Sequence, residues 1–340
     1  MKIGIVGASG YSGGELARLV SSHPKFEIEY LAAASNAGEL VTSIHPQLLQ
    51  FVGQKFEDTN LDAMKRCDLI FFALPHGSSA DWISQIPAQI RVVDLGADFR
   101  LESSEQWEKY YGGPHAGSLP YGLPEVPGSR ALIAESSQVA NPGCYATAIT
   151  LGTLPAITHG LIHSEDIVVV AASGTTGAGR SSKISLSASE TNNSLTSYKF
   201  GGVHQHTPEI EQALEKISGR SVKISFTPIL APMPRGILAT ISACLVSPIS
   251  TEKVHEIYGG VFDDEEFVHL LPIGQMPQTA AVTGSNAAQI QVAVDSHTNR
   301  LIISIAIDNL GKGAASQAIQ NANIMCGFPE NLGLTNQGVR

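Results

Sequence analysis

The sequence predicts an α/β chain in two parts, a doubly wound parallel sheet followed by an α+β region with a largely antiparallel sheet. Three observations predict this. The chain opens on an apolar run, Lys2-Ile3-Gly4-Ile5-Val6, that passes directly into Gly7-Ala8-Ser9-Gly10-Tyr11-Ser12-Gly13-Gly14 and then into helically spaced residues 15–20. Short apolar runs then alternate with helical ones as far as Gly143, the order in which parallel strands are connected. Beyond Cys144 the runs lengthen and read as strands of an antiparallel sheet.

The opening segment supplies the parts of a Rossmann-type dinucleotide site: a buried strand, a glycine turn, and a helix whose first N–H groups meet a pyrophosphate. Its spacing is G-x-x-G-x-x-G, and the candidate cofactor residues are Gly7, Ser9, Gly10, Tyr11, Ser12 and Gly13. The second strand, residues 26–33, ends in Ala34-Ser35-Asn36-Ala37-Gly38, where NAD-specific folds place an acid on the ribose 2′-hydroxyl. Ser35 and Asn36 are not acidic and Glu39 follows a glycine, which favours NADP.

Further strands are read at 68–74 and 90–94, with a helix at 78–85 between them. His76, Asp98 and Arg100 stand just beyond the strand ends, where ligands bind in such sheets, although single polar residues there are commonly structural. The segment 110–128 is dense in glycine and proline and reads as an ordered surface loop without legible chemistry.

Asn141-Pro142-Gly143-Cys144-Tyr145-Ala146-Thr147 joins a short strand to a helix read over 145–154. Pro142 fixes φ and Gly143 relaxes it, so the turn can be abrupt. Cys144 then sits in the first helical turn, where the dipole favours a thiolate, the nucleophilic form; the alternative is a small buried hydrophobe.

A strand at 167–172 leads into Ser173-Gly174-Thr175-Thr176-Gly177-Ala178-Gly179-Arg180, a loop of glycines, hydroxyls and an arginine suited to an anion. Residues 181–199 are rich in serine, threonine and asparagine and read as a mobile flap. His204-Gln205-His206-Thr207-Pro208-Glu209 opens a helix expected over 208–218, with Thr207 as N-cap and Pro208 in the first turn. In an extended segment His204 and His206 share a side, forming an acid–base group with Glu209; a metal site lacks a third ligand at suitable spacing.

Strands follow at 222–226, 237–246, 289–294 and 301–307, and Arg235 lies between two of them. Finally Asp308-Asn309-Leu310-Gly311-Lys312-Gly313 opens a helix at 314–325, expected to pack on the first domain and to turn Asn309, Gly311 and Lys312 to the cofactor.

Composition narrows the function. The 340 residues are 43% hydrophobic and 15% charged, which suits a compact enzyme rather than a disordered chain. A formal net charge of −10 argues against non-specific nucleic-acid binding. Four scattered cysteines make neither a disulfide framework nor a metal cluster. Met1-Lys2 leads straight into a strand and no apolar run reaches spanning length, so a cytoplasmic protein with no signal peptide and no membrane contact is expected.

At Asn-Pro-Gly-Cys-Tyr-Ala-Thr (141–147), His-x-His-Thr-Pro-Glu (204–209) and Asp-Asn-Leu-Gly-Lys-Gly-Ala-Ala (308–315) the chain resembles the N-acetyl-gamma-glutamyl-phosphate reductases of arginine biosynthesis, relatives of aspartate-semialdehyde dehydrogenase. The likeness extends, in order, over essentially the whole chain. It departs at Ser35-Asn36, where that family often carries a basic pair. The resemblance implies NADPH-dependent reduction of an acyl phosphate, a nucleophile at Cys144, an acid–base histidine in the His204/His206 pair, and a homodimer or homotetramer. His206 is favoured as that histidine, with Glu209 orienting it; Arg100, Ser173, Gly174, Arg180 and Arg235 are the candidates for substrate anions. The expected domains are 1–143, completed by 311–340, and 144–310. A sister acyl-phosphate reductase, a thiol-dependent aldehyde dehydrogenase running oxidatively, and a catalytically silent NADP-binding sensor remain alternatives.

Overall fold

A computed structural model describes residues 1–180 and 184–339. The chain divides into two compact units. The first comprises Met1–Pro124, Gly128–Pro142 and Ala314–Leu334; the second comprises Glu125–Pro127, Gly143–Gly313 and the tail from Thr335.

The first unit holds β1 (Lys2–Val6), β2 (Glu27–Ala32), β3 (Leu69–Phe72), β4 (Arg91–Asp94) and β5 (Gln138–Ala140). They form one sheet in the order β2-β1-β3-β4-β5, every pair parallel. Because side chains alternate along a strand, both faces must be covered. Leu69 and Phe71 enter one apolar cluster with Ile3, Ile5 and Leu16, while Ile70 and Phe72 enter the other with Tyr30, Met64 and Ile83. The first cluster also contains Ala315, Ala318, Ile319, Ala322 and Met325, so the Ser316–Met325 helix returns to close this face. The helix expected over 78–85 is only the turn Ala80–Ile83. It starts late because the Asp98 carboxylate accepts from the N–H groups of Ser79 (2.9 Å) and Ala80 (3.1 Å), and also from Gly77.

The second unit holds β6 (Ile162–Ser173), β7 (Thr196–Ser197), β8 (Ile224–Leu230), β9 (Ile237–Leu245), β10 (Val268–Leu270), β11 (Ala288–Asp295) and β12 (Arg300–Ile307). Their order is β10-β11-β12-β9-β6-β8-β7. β10·β11 and β6·β8 run parallel and the remaining neighbours antiparallel. β6 and β9 alternate buried and more exposed residues, the pattern of a sheet with one covered face. The covering element is the Cys144–Thr158 helix, buried continuously from Tyr145 to Ile157. It crosses the sheet at Gly152, where an added Cβ would sit 3.0 Å from Ile241 and 3.3 Å from Ile305. On its outer side Tyr258, from the Thr251–Phe262 helix, donates its hydroxyl to Gly152 O at 2.9 Å. Burying isoleucines of this size contributes about 1.5–3 kcal/mol each, enough to carry the helix through Pro155, beyond the end that the sequence suggests.

The flap expected over 181–199 falls partly outside the described residues, at 181–183. The remainder contains the short turns Ile184–Leu186 and Ala188–Thr191 and then β7. Arg340, the last residue of the expected closing segment 311–340, also lies outside them. No helix among the described residues is long and apolar enough to cross a membrane.

Candidate active site

Cys144 is the first residue of its helix and partly exposed. Gly143, the N-cap, is extended (φ −70°, ψ 150°) and has no side chain with which to cap the first-turn N–H groups. Its own N–H donates to Glu209 Oε1 at 2.8 Å, while its carbonyl accepts from Thr147 N at 2.8 Å and Thr147 Oγ1 at 3.1 Å. The abrupt turn is therefore held from both sides.

The histidines come together, though not as an extended pair. The helix starts at His206, earlier than expected, with Gln205 helical at the N-cap. Thr207 is not the cap: His204 Nδ1 accepts from His206 N at 3.1 Å and His204 O accepts from Thr207 N at 2.9 Å. The imidazole does a cap's work one turn before the hydroxyl would. The two rings stand 4.9 Å apart at 76°, and both meet the Tyr145 ring edge-on, at 5.4 and 6.0 Å. Tyr198 donates its hydroxyl to Tyr145 at 3.0 Å. Burial, joined by His206 and Lys199, pushes the His204 imidazolium down to about 2, so His204 is neutral. Burial, with the neighbouring Cys144 adding to it, pushes the Tyr198 hydroxyl up to about 12. Tyr145, the residue after Cys144, thus gathers Tyr198, His204 and His206 around it. Glu209 is placed on the cysteine turn, whereas the sequence suggested that it orients a histidine.

The other candidates separate. Arg100 is buried in the first unit and spends Nε on Asn141 O (2.8 Å) and Nη2 on Leu95 O (2.7 Å). Arg235 pairs with Asp308, Nη2 to Oδ2 at 2.6 Å and Nε to Oδ1 at 3.0 Å. Ser173 is buried and donates to Gly174 O at 3.2 Å; a Cβ on Gly174 would lie 2.8 Å from the Pro234–Arg235 backbone. Arg180 is exposed at the end of this loop.

Asn309 donates to Thr176 Oγ1 at 3.0 Å and accepts from Gly236 N at 2.7 Å, bracing two loops of the second unit. Lys312 does not present a cation outward. It is fully buried, 2.5 Å from Glu125, a residue the sequence reading passed over inside a loop of glycines and prolines. Gly311 is tight against Ser285 O, 2.2 Å from where its Cβ would be.

In the first unit the glycine turn makes a cradle that side chains would fill. Gly7 has φ +87°, and a Cβ on it would lie 2.3 Å from Ala73 O. A Cβ on Gly13 would lie 2.2 Å from Gly7 O, so the Tyr11–Ser22 helix approaches the turn closely only because both are glycine. Gly10 is its N-cap and brings no side chain to the first turn, while Ser9, Tyr11 and Ser12 are half-buried around it. This fits a dinucleotide pyrophosphate. At the ribose end Ser35 is exposed and donates to Asn36 at 3.3 Å, and the Asn36 amide donates to Glu39 Oε1 at 3.1 Å. The loop is therefore not free of acid: Glu39 returns to it across the glycine.

Residues 2–134 match the family model described as the NAD binding domain of semialdehyde dehydrogenases, and residues 144–309 match their dimerisation domain. An N-acetyl-gamma-glutamyl-phosphate reductase of Acidothermus cellulolyticus is 52% identical over 338 residues, covering 99% of this chain and 98% of the relative. Another, from Streptomyces avermitilis, is 50% identical over 339 residues, 100% of this chain and 99% of the relative. The chain belongs to the N-acetyl-gamma-glutamyl-phosphate reductase family. Aspartate semialdehyde dehydrogenase II of Vibrio cholerae superposes with a TM-score of 0.72, over 96% of this chain and 98% of its own; at 18% identity this shows the shared fold alone. The family's two-domain plan is thus a Rossmann-type parallel sheet joined in sequence to a mixed, mostly antiparallel one.

Proposed function

We propose that the protein reduces N-acetyl-L-glutamyl 5-phosphate to the 5-semialdehyde and phosphate with NADPH, through a thioester on Cys144. The carrying observation is Cys144 at a helix N-terminus that no side chain of its N-cap residue covers, with both histidines edge-on to the next residue, Tyr145. Full-length relatives named for this reaction support the substrate. The thiolate attacks the acyl carbon, the C–O bond to phosphate breaks with its electron pair, and a thioester remains. Gly7, Gly10 and Gly13 would hold NADPH, and the chemistry it would supply is the hydride needed to reduce that carbonyl. The first-turn N–H groups of the Cys144 helix stabilise the oxyanion, whose collapse expels the thiolate and frees the semialdehyde. His206 takes the thiol proton and returns it, while neutral His204 holds the helix start and so the position of His206. Glu209 fixes the Gly143 turn. Arg180, at the exposed end of the 173–180 loop, is the arginine assigned to substrate anions; Arg100 and Arg235 serve the scaffold.

The open face of the second unit's sheet is assigned to a second copy of the chain, giving a homodimer or a dimer of dimers. Val168 and Val170 stand 40% and 43% exposed on it.

Mixing the protein with fresh acyl phosphate and no NADPH tests the order of steps. Phosphate should appear in a burst near one equivalent, with the acyl mass on the Cys144 peptide, and the Cys144→Ser protein should show neither. Absence of both burst and acyl-peptide, with NADPH-dependent turnover intact, would mean direct hydride attack on the acyl phosphate.

A further inference from the structure

We infer that the Glu125–Lys312 pair is a clamp that positions Cys144, an inference that rests on Cys144 being the nucleophile. The two side chains are fully buried with Lys312 Nζ 2.5 Å from Glu125 Oε1, and the ammonium lies 5.6 Å from the centre of the Phe267 ring. Lys312 belongs to a turn of π-helix, Gly311–Ala315, a rare form of backbone that is frequent at functional sites. On either side of it the main chain is in close contact. A Cβ on Gly313 would stand 2.8 Å from Cys144 Cβ and 3.2 Å from its Cα, and one on Gly311 would strike Ser285 O. The start of the same segment is tied by Asp308, which accepts from Leu310 N at 2.9 Å and pairs with Arg235. The peptide that touches the cysteine is therefore anchored through the side chain of its neighbour, Lys312.

Stability alone does not account for such a pair. Removing two charges from water is costly, and well-packed apolar replacements for a buried pair are often neutral or stabilising. What the pair does supply is direction: one carboxylate fixes where Lys312 points and hence where Gly313 lies against Cys144. Glu125 and Lys312 are positioning residues, acting through the Gly313 backbone.

The test removes both charges together, in Glu125→Met/Lys312→Met. The expected protein melts within a few degrees of the parent and binds NADPH within about twofold by fluorescence, because the glycine cradle is untouched. Its kcat, its phosphate burst and the rate of Cys144 alkylation by iodoacetamide should each fall about tenfold or more. Gly313→Ala, which crowds the cysteine directly, calibrates the loss that a displaced thiol produces. Should the methionine pair fail to fold, Glu125→Gln/Lys312→Met is read in its place. Alkylation and burst at the parental rate in whichever double variant folds would overturn the clamp. Alkylation of Cys144 in the parent protein that leaves turnover intact would instead overturn the nucleophile, and the clamp with it.

Discussion

The two histidines differ in what surrounds them, and that difference assigns their roles. His204 is buried, its Nδ1 accepts a backbone N–H, and its imidazolium is pushed down to about 2. It therefore stays neutral at neutral and mildly acid pH and cannot shape a pH–rate profile near neutrality. His206→Asn should slow turnover more than His204→Asn, which only loosens the start of the helix that carries His206; a larger loss of turnover in His204→Asn would exchange the assignments. Stability gives a second readout. The unfolded chain protonates His204 as pH falls through its ordinary value of 6.5, while the folded chain does not, so stability is lost as pH falls. Between about pH 7 and about pH 5 this amounts to about 2 kcal/mol. Calorimetry should find the acid-side fall in melting temperature smaller in His204→Asn than in the parent. At the ribose loop, Glu39 accepts from Asn36 and so brings a negative charge near the place where a 2′-phosphate would bind. Glu39→Gln should raise the preference for NADPH over NADH; an unchanged ratio of kcat/KM would show that Glu39 is screened from the nucleotide.

The strand–turn–helix at the N-terminus was legible because glycine has a narrow physical meaning there: residues 7 and 13 have no room for a Cβ. What the sequence could not display is the outside support of that turn. His45, far along the chain, is buried and its Nε2 lies 2.9 Å from Ala8 O, while its ring fills the place that a Cβ on Gly14 would take. His45→Phe should keep the packing, lose the bond to the turn, and weaken NADPH binding about five- to tenfold, the worth of one buried hydrogen bond. The phosphate burst without NADPH should not change. Equal loss of both would make His45 a general stabiliser. The helix at His206 was misread for a related reason. Thr207-Pro208 is a sound local start signal, but a side chain from before the helix, His204, supplies the cap instead. Lys312 was misread because its partner lies 187 positions away, in a loop whose composition says only that it turns.

Across the whole chain, fold class followed from period and order, since strands buried on both faces and strands covered on one face have different textures. Those textures also locate the surface that needs a partner. On β6, Val168 and Val170 face away from the Cys144 helix, opposite Ser242 and Thr240 of β9 and Ser225 and Thr227 of β8. β12 continues the same face with Ile302 and Ser304, the partners of Ser242 and Thr240. The row is valine, isoleucine, serine and threonine, and the charges at its end are paired with each other, Arg300 with Asp166 at 2.9 Å while Arg300 Nε donates to Ser242 Oγ at 2.7 Å; this unit is the one matching a dimerisation domain. Each copy must cover about 800 Å² for a stable pair, a patch that a seven-stranded sheet can offer. Val168→Glu/Val170→Glu places two carboxylates in the centre of that patch and none in the core beneath it. Sedimentation equilibrium should show the mass halved or quartered to that of one chain, with the far-ultraviolet circular dichroism unchanged. A protein of parental mass at micromolar concentration would mean that the copies meet elsewhere, and that this face is covered by something other than its own kind.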